Sequence, residues 1–215
     1  MTSRIGLFVL GISWVCAVGA GFRMLLAYEH TPGEGARAPD QWPNASEIVR
    51  PPGRATLIML AHPQCPCTRA SIGELAILMA RVHKSVSAYV LFVSPSDLAE
   101  SWPRTDLWES AAAIPGVRTI ADHDGREARL FHAATSGQTL VYDATGRLTF
   151  SGGITDARGH SGDNAGRTAI VSLLTTGTSD QRTTPVFGCS LLGAAGGPLA
   201  ESAVAAADDG ALVCR

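Results

Sequence analysis

The chain has 215 residues, 46% of them apolar and 17% charged, a balance that suits one packed domain with appendages and excludes a disordered chain. A formal net charge of −2 supplies no electrostatic footprint for nucleic acid, so no nucleic-acid partner is expected. The five cysteines, Cys16, Cys65, Cys67, Cys189 and Cys214, are too few and too clustered for a disulfide scaffold, and two of them one residue apart point to chemistry instead.

The first element is an uncharged, mostly apolar run over residues 5–22, preceded by Arg4. About 20 such residues cross a bilayer, and the run extends through residues 24–28 if Arg23 snorkels. Two readings fit. One is a single-pass anchor over residues 1–28, which the length of the run favours. The other is a signal peptide ending near the small residues Val18-Gly19-Ala20. Both carry the rest of the chain out of the cytosol, so the predicted location is the cytoplasmic membrane with the soluble part facing the periplasm or cell exterior. Charge adds little, because Arg23 and Arg37 lie on the far side. Cys16 lies inside this run, and the Trp14-Val15 before it make a poor lipoprotein signal, so it reads as a passive apolar residue.

Residues 29–53 are rich in proline and glycine, including Thr31-Pro32-Gly33 and Pro51-Pro52-Gly53, and read as a partly stiffened tether. The continuous apolar run over 55–61 predicts a strand buried on both faces. His62-Pro63-Gln64-Cys65-Pro66-Cys67-Thr68 breaks it. From 69 to 84 the apolar Ile72, Leu75, Ala76, Met79 and Val82 recur at helical spacing, and 88–93 is a second buried strand. Strand, helix and strand in this order predict a βαβ unit with a parallel pair.

Residues 97–113 hold a short helix and an insertion carrying Trp102 and Trp108. A short strand is predicted over 116–120 and a helix over 125–134. Strand-like runs at 139–143 and 148–151, around Ala144-Thr145-Gly146-Arg147, predict an antiparallel hairpin. A glycine-rich stretch, 152–166, leads to a last helix around 167–174. The expected fold class is α/β, a central mixed sheet flanked by helices over 54–190 behind an N-terminal transmembrane helix, with a loosely held Ala/Gly-rich tail over 191–215.

The chemistry centres on Cys65-Pro66-Cys67. A thiol is a useful nucleophile only as thiolate, and a helix N-terminus favours that form. With Cys65 at the N-cap, Pro66 falls at the first helical position, where its missing N–H costs nothing. Cys65 is then expected as the more exposed, attacking sulfur and Cys67 as the shielded, resolving one. A disulfide between residues i and i+2 is hard to close in relaxed geometry, so such a pair would be labile rather than structural. Cys189 reads equally well as a third redox thiol or as a simple buried cysteine, and Cys214 as a loose terminal thiol. The same region allows a metal reading: His62, Cys65 and Cys67, with His160 or Cys189 completing the set, would suit copper or zinc. The exchange reading needs no cofactor.

The strand and cysteine turn leading into Gly73-Glu74-Leu75, the Asp122-His123-Asp124-Gly125 turn, and 140–146 followed by Phe150-Ser151-Gly152-Gly153 resemble the redoxin branch of the thioredoxin superfamily over residues 54–175. More narrowly, the stretches 62–71, 158–164 and 185–189 resemble the RedB-type bacterial membrane proteins. The resemblance implies a thioredoxin-like fold, a thiol role, and a thiol or disulfide protein of the cell envelope as partner. The first expectation is thiol–disulfide exchange through Cys65 and Cys67; the alternatives are delivery of a soft metal by the same cysteines with His62 or His160 and Cys189, and a module that uses its thiols only as a sensor. The chain departs from thioredoxins in two places. One residue rather than two separates the cysteines, and Ser136-Gly137-Gln138-Thr139 stands where thioredoxins carry a cis-proline. The loop 158–164 concentrates Arg158, His160, Asp163 and Asn164. His160 reads as a base or ligand near the thiols, and Asp163 or Asn164 as the cap of the last helix.

Overall fold

The computed structural model describes residues 2–192. The chain forms two compact units, Met1–Thr31 and Pro32–Arg215. The first is α1 (Thr2–Glu29), whose window from Arg4 has a mean hydropathy of 2.1. Large apolar side chains, among them Leu7, Phe8, Trp14, Phe22 and Met24, stand exposed along it. A helix of this length, apolar all round, can cross a membrane, and a signal sequence has the same character.

In the second unit, β1 (Ala55–Ala61) is the middle strand of a five-stranded sheet ordered β3-β2-β1-β4-β5. The others are β2 (Val86–Ser94), β3 (Val117–His123), β4 (Thr139–Tyr142) and β5 (Leu148–Gly152). β1, β2 and β3 run parallel, while β4 pairs antiparallel with both β1 and β5. The apolar run of β1 is continuous because both its faces are covered. Leu57 and Met59 enter one core with Leu75 and Leu78 of α2 (Pro66–Val82), Leu107 and Trp108 of α3 (Asp106–Ala112), and Ile170 of α5 (Ala165–Thr176). Ile58 and Leu60 enter a second core with Ala128 of α4 (Arg126–Leu130), Phe131, Tyr142, Ala38 and Ile48. Burying Leu75 and Leu78 fully contributes about 1.5–3 kcal/mol each, which holds α2 against the sheet.

The parallel pair and the hairpin lie where the sequence puts them. β3 runs three residues beyond its expected end, to His123, because Asp122 stays in the ladder opposite Val93. There its buried carboxylate accepts N–H bonds from Glu127 and Ala128 and caps α4. Asn164 caps α5, its side chain accepting from Arg167 N–H.

Most of residues 29–53, expected as a partly stiffened tether, are packed chain. From Pro32 onward they belong to the domain. Trp42 packs edge-on against Phe131 and Tyr142. Asp40 and Trp42 exchange backbone bonds with the β4–β5 turn, and the Glu127 carboxylate receives Ser46 Oγ and Glu47 N–H. The proline and glycine content indicates irregular backbone, but Ala38, Trp42 and Ile48 supply apolar surface that helps cover one face of the sheet beside Ala128 and Phe131. At the other end Leu191 is fully buried, so the packed chain reaches past 190. The rest of the expected tail, 193–215 with Cys214, lies outside the described residues.

Candidate thiol site

β1 ends at Ala61, and the chain turns through 62–65 into α2. Cys65 N–H donates to the His62 carbonyl at 3.2 Å, and Thr68 N–H to the Cys65 carbonyl at 3.0 Å. Cys65 is the N-cap of α2, with extended backbone (φ −82°, ψ 116°), and Pro66 occupies the first turn. No side-chain oxygen caps this helix, so the sulfur of Cys65 holds the place usually taken by a serine or aspartate.

Both cysteines of the motif are buried, and Cys65 (2% exposed) is covered more than Cys67 (7%). The expectation that Cys65 is the open sulfur and Cys67 the shielded one is therefore corrected. Cys189 lies against Cys65: their Sγ atoms are 2.6 Å apart, although 124 residues separate them. Cys189 itself is half-buried.

Cys189 arrives on a segment with no helix or strand of its own. Residues 182–185 run beside β5, with Ser151 N–H donating to the Arg182 carbonyl and Gly153 N–H to Pro185. The segment then crosses to 134–136. There Ser136 N–H donates to the Cys189 carbonyl, and Leu191 N–H to Ala134, both at 2.8 Å. Arg158 donates to the Gly188 carbonyl at 2.6 Å. Gly188 is required, since a Cβ there would fall 1.9 Å from the Ser136 carbonyl oxygen.

Ser136 ties the two parts together. Its Oγ accepts from His62 N–H at 2.8 Å and shares a 2.7 Å hydrogen bond with Thr68 Oγ1, while its backbone holds Cys189. It occupies the stretch noted for lacking the cis-proline, and no cis peptide occurs among the described residues. His62 accepts from Gln64 N–H at Nδ1 and packs edge-on against Trp102, centroids 5.5 Å apart. Thr105, from the same insertion, donates to the Pro63 carbonyl. Burial pushes the His62 imidazole below its ordinary value, and a negative Cys65 works the other way.

The loop 158–164 is fastened to α2 by Glu74, which is 1% exposed. The carboxylate accepts from Gly162 N–H, Asn164 Nδ2 and the Arg167 guanidinium, and Arg167 also reaches Asp163. The loop thus positions Arg158 on the Cys189 segment, while His160 lies in its exposed part, near Gly162. Among the described residues no three His, Cys, Asp or Glu side chains are grouped to hold a metal ion, so His62, Cys65, Cys67, His160 and Cys189 do not form a ligand cluster. The sequence reading missed Ser136, Trp102 and Thr105. The absent proline was the one signal toward Ser136, and the two tryptophans the one toward the insertion.

No protein-family model matches the sequence, and no curated protein does. Among solved structures, an uncharacterized conserved protein of Geobacillus kaustophilus matches with a TM-score of 0.54 at 20% identity, covering 75% of this chain and 92% of its own. A hypothetical protein of Sinorhizobium meliloti matches with a TM-score of 0.54 at 18% identity, over 73% and 96%. A secreted disulfide oxidoreductase of Mycobacterium tuberculosis matches with a TM-score of 0.42 at 13% identity, over 58% and 83%. These are likenesses of fold. A parallel β1-β2-β3 half, an antiparallel β4–β5 hairpin, and a helix springing from the end of the central strand define a thioredoxin-like domain. It follows an N-terminal apolar helix of membrane-span length.

Proposed function

We propose that this chain is a membrane-tethered thiol–disulfide redox protein that exchanges with protein thiols or disulfides outside the cytosol through the Cys65-Pro66-Cys67 turn. The observation that carries this reading is the sulfur of Cys65, at the N-cap of a 17-residue helix and in contact with a second sulfur. The helix start favours the thiolate, and a neighbouring sulfur lets a mixed disulfide be resolved within the chain. The motif resemblance to RedB-type membrane proteins points the same way, as does an apolar N-terminal helix that would place the domain in the envelope.

The test is made on the full chain in detergent, by thiol titration and metal analysis before and after mild reduction. Reversible oxidation of a cysteine pair is expected, with turnover of a disulfide-containing peptide that the Cys65→Ser variant loses. Protease added to the periplasmic side of intact cells should digest the domain. Purification with about one equivalent of copper or zinc, and no exchange, would replace this reading with soft-metal binding by the same cysteines.

A further inference from the structure

We propose that Cys189, rather than Cys67, is the second sulfur of the exchange centre, and that it is the sulfur a partner thiol meets first. The inference rests on the exchange reading of Cys65 given above.

Side chains two apart on a helix do not face each other. Cys67 is already inside α2 while Cys65 caps it, so a bond between them is hard to close in relaxed geometry. Cys189 Sγ meets no such obstacle, being already 2.6 Å from Cys65 Sγ. Nor is the approach that of a loose chain end. The backbone is fixed on both sides of Cys189, by Arg158 and Ser136 at residues 188 and 189 and by the Leu191–Ala134 bond beyond. The lack of room at Gly188 and the buried Leu191 hold the register.

Access and leaving-group stability then assign the order of events. A partner thiolate reaches the half-buried Cys189 more easily than the buried Cys65, which is 2% exposed. In the oxidised chain, that thiolate attacks Cys189 Sγ, the Cys65–Cys189 bond breaks, and its electron pair stays on Cys65, where the start of α2 favours negative charge. A second thiolate of the same partner attacks the partner sulfur of the mixed disulfide and expels Cys189, which takes up a proton. Two electrons pass from the partner dithiol, which becomes a disulfide, to the chain, which becomes a dithiol. With a disulfide partner the sequence runs in reverse. Oxidation also closes a long loop covalently, joining the Cys189 segment to the start of α2.

The test uses the full chain in detergent with glutathione as probe. After equilibration in an oxidising glutathione buffer, peptide mapping of the unmutated chain should find Cys65 linked to Cys189, and the Cys67→Ser variant should give the same link. Oxidised glutathione should modify Cys189 in Cys65→Ser at least about tenfold faster than Cys65 in Cys189→Ser, because access governs attack. Circular dichroism of each variant separates an altered site from an altered fold. A 65–67 link, or undiminished exchange by Cys189→Ser, overturns the proposal and leaves the exchange reading intact. Faster modification of Cys65 overturns the order of attack. A chain in which no cysteine pair oxidises and no variant takes up glutathione removes the exchange reading, and this inference with it.

Discussion

The turn that carries Cys65 is closed by hydrogen bonds between residues three apart, from Cys65 to His62 and from Thr68 to Cys65, and continues into a 17-residue helix. The segment that carries Cys189 is held instead by residues distant in sequence: Ser136, Arg158, Ala134 and the backbone beside β5. One sulfur is thus placed first by local geometry, with Ser136 and Thr105 bracing the turn, the other wholly by contacts that exist only once the sheet is formed. A site assembled from two such halves can be perturbed one half at a time, because the contacts that hold each sulfur are mostly different.

The largest test of this contrast is Glu74→Ala. It strips the buried Arg167 of its counter-charge and the loop 158–164 of its anchor, and should cost about 3–5 kcal/mol in urea unfolding of the full chain in detergent. A loss below about 1 kcal/mol would show that the loop is held by other contacts. Gly188→Ala should cost about 1–3 kcal/mol, since its Cβ meets the Ser136 carbonyl. Its direct clash is with the backbone that holds Cys189, so Cys65 should become more open to alkylation while helix content is kept. If both halves loosen together, the contrast fails.

Ser136→Ala acts on the Cys65 half, since the hydroxyl bonds His62 N–H and Thr68 while the Ser136 backbone N–H keeps its bond to Cys189. Removing the acceptor of His62 N–H and the partner of Thr68 Oγ1 should cost about 1 kcal/mol and slow formation of the Cys65–Cys189 link. Ser136→Thr, which keeps the hydroxyl, should restore more of the rate than Ala.

The smallest effect is the pH dependence of His62. Its folded-state value lies below the ordinary 6.5, so the unfolded chain takes up the proton first as pH falls. The stability contributed by neutral His62 is complete above pH 6.5 and is lost progressively below it. His62→Asn should flatten that part of the stability curve. In Cys65→Ser, NMR titration of His62 should give a still lower value, because the negative sulfur that favours imidazolium is gone.

Much of the domain is legible one element at a time. The apolar run over 55–61 is β1 to the residue, and the spacing of Ile72, Leu75, Met79 and Val82 marks the buried side of α2. Pro66 after Cys65 marks the helix start, and Gly146 marks the hairpin turn with a φ of 85°. Each is a local signal, a periodicity or a residue whose backbone preference admits few conformations. Residues 32–50 misled for the converse reason: prolines and glycines report irregular backbone, and only the exposed face of a finished sheet turns Trp42 and Ile48 into core.

From the sequence alone came the strand and helix order, the apolar N-terminal helix, and a cysteine at a helix start, since all of these depend on neighbours within a few turns of chain. The tertiary structure alone decided that Cys65 lies buried, that Glu74 holds the loop 158–164, and that Cys189 comes to Cys65 across 124 residues. Such pairings have no period and no spacing rule. They are fixed by which surfaces remain uncovered after the sheet and its helices have packed.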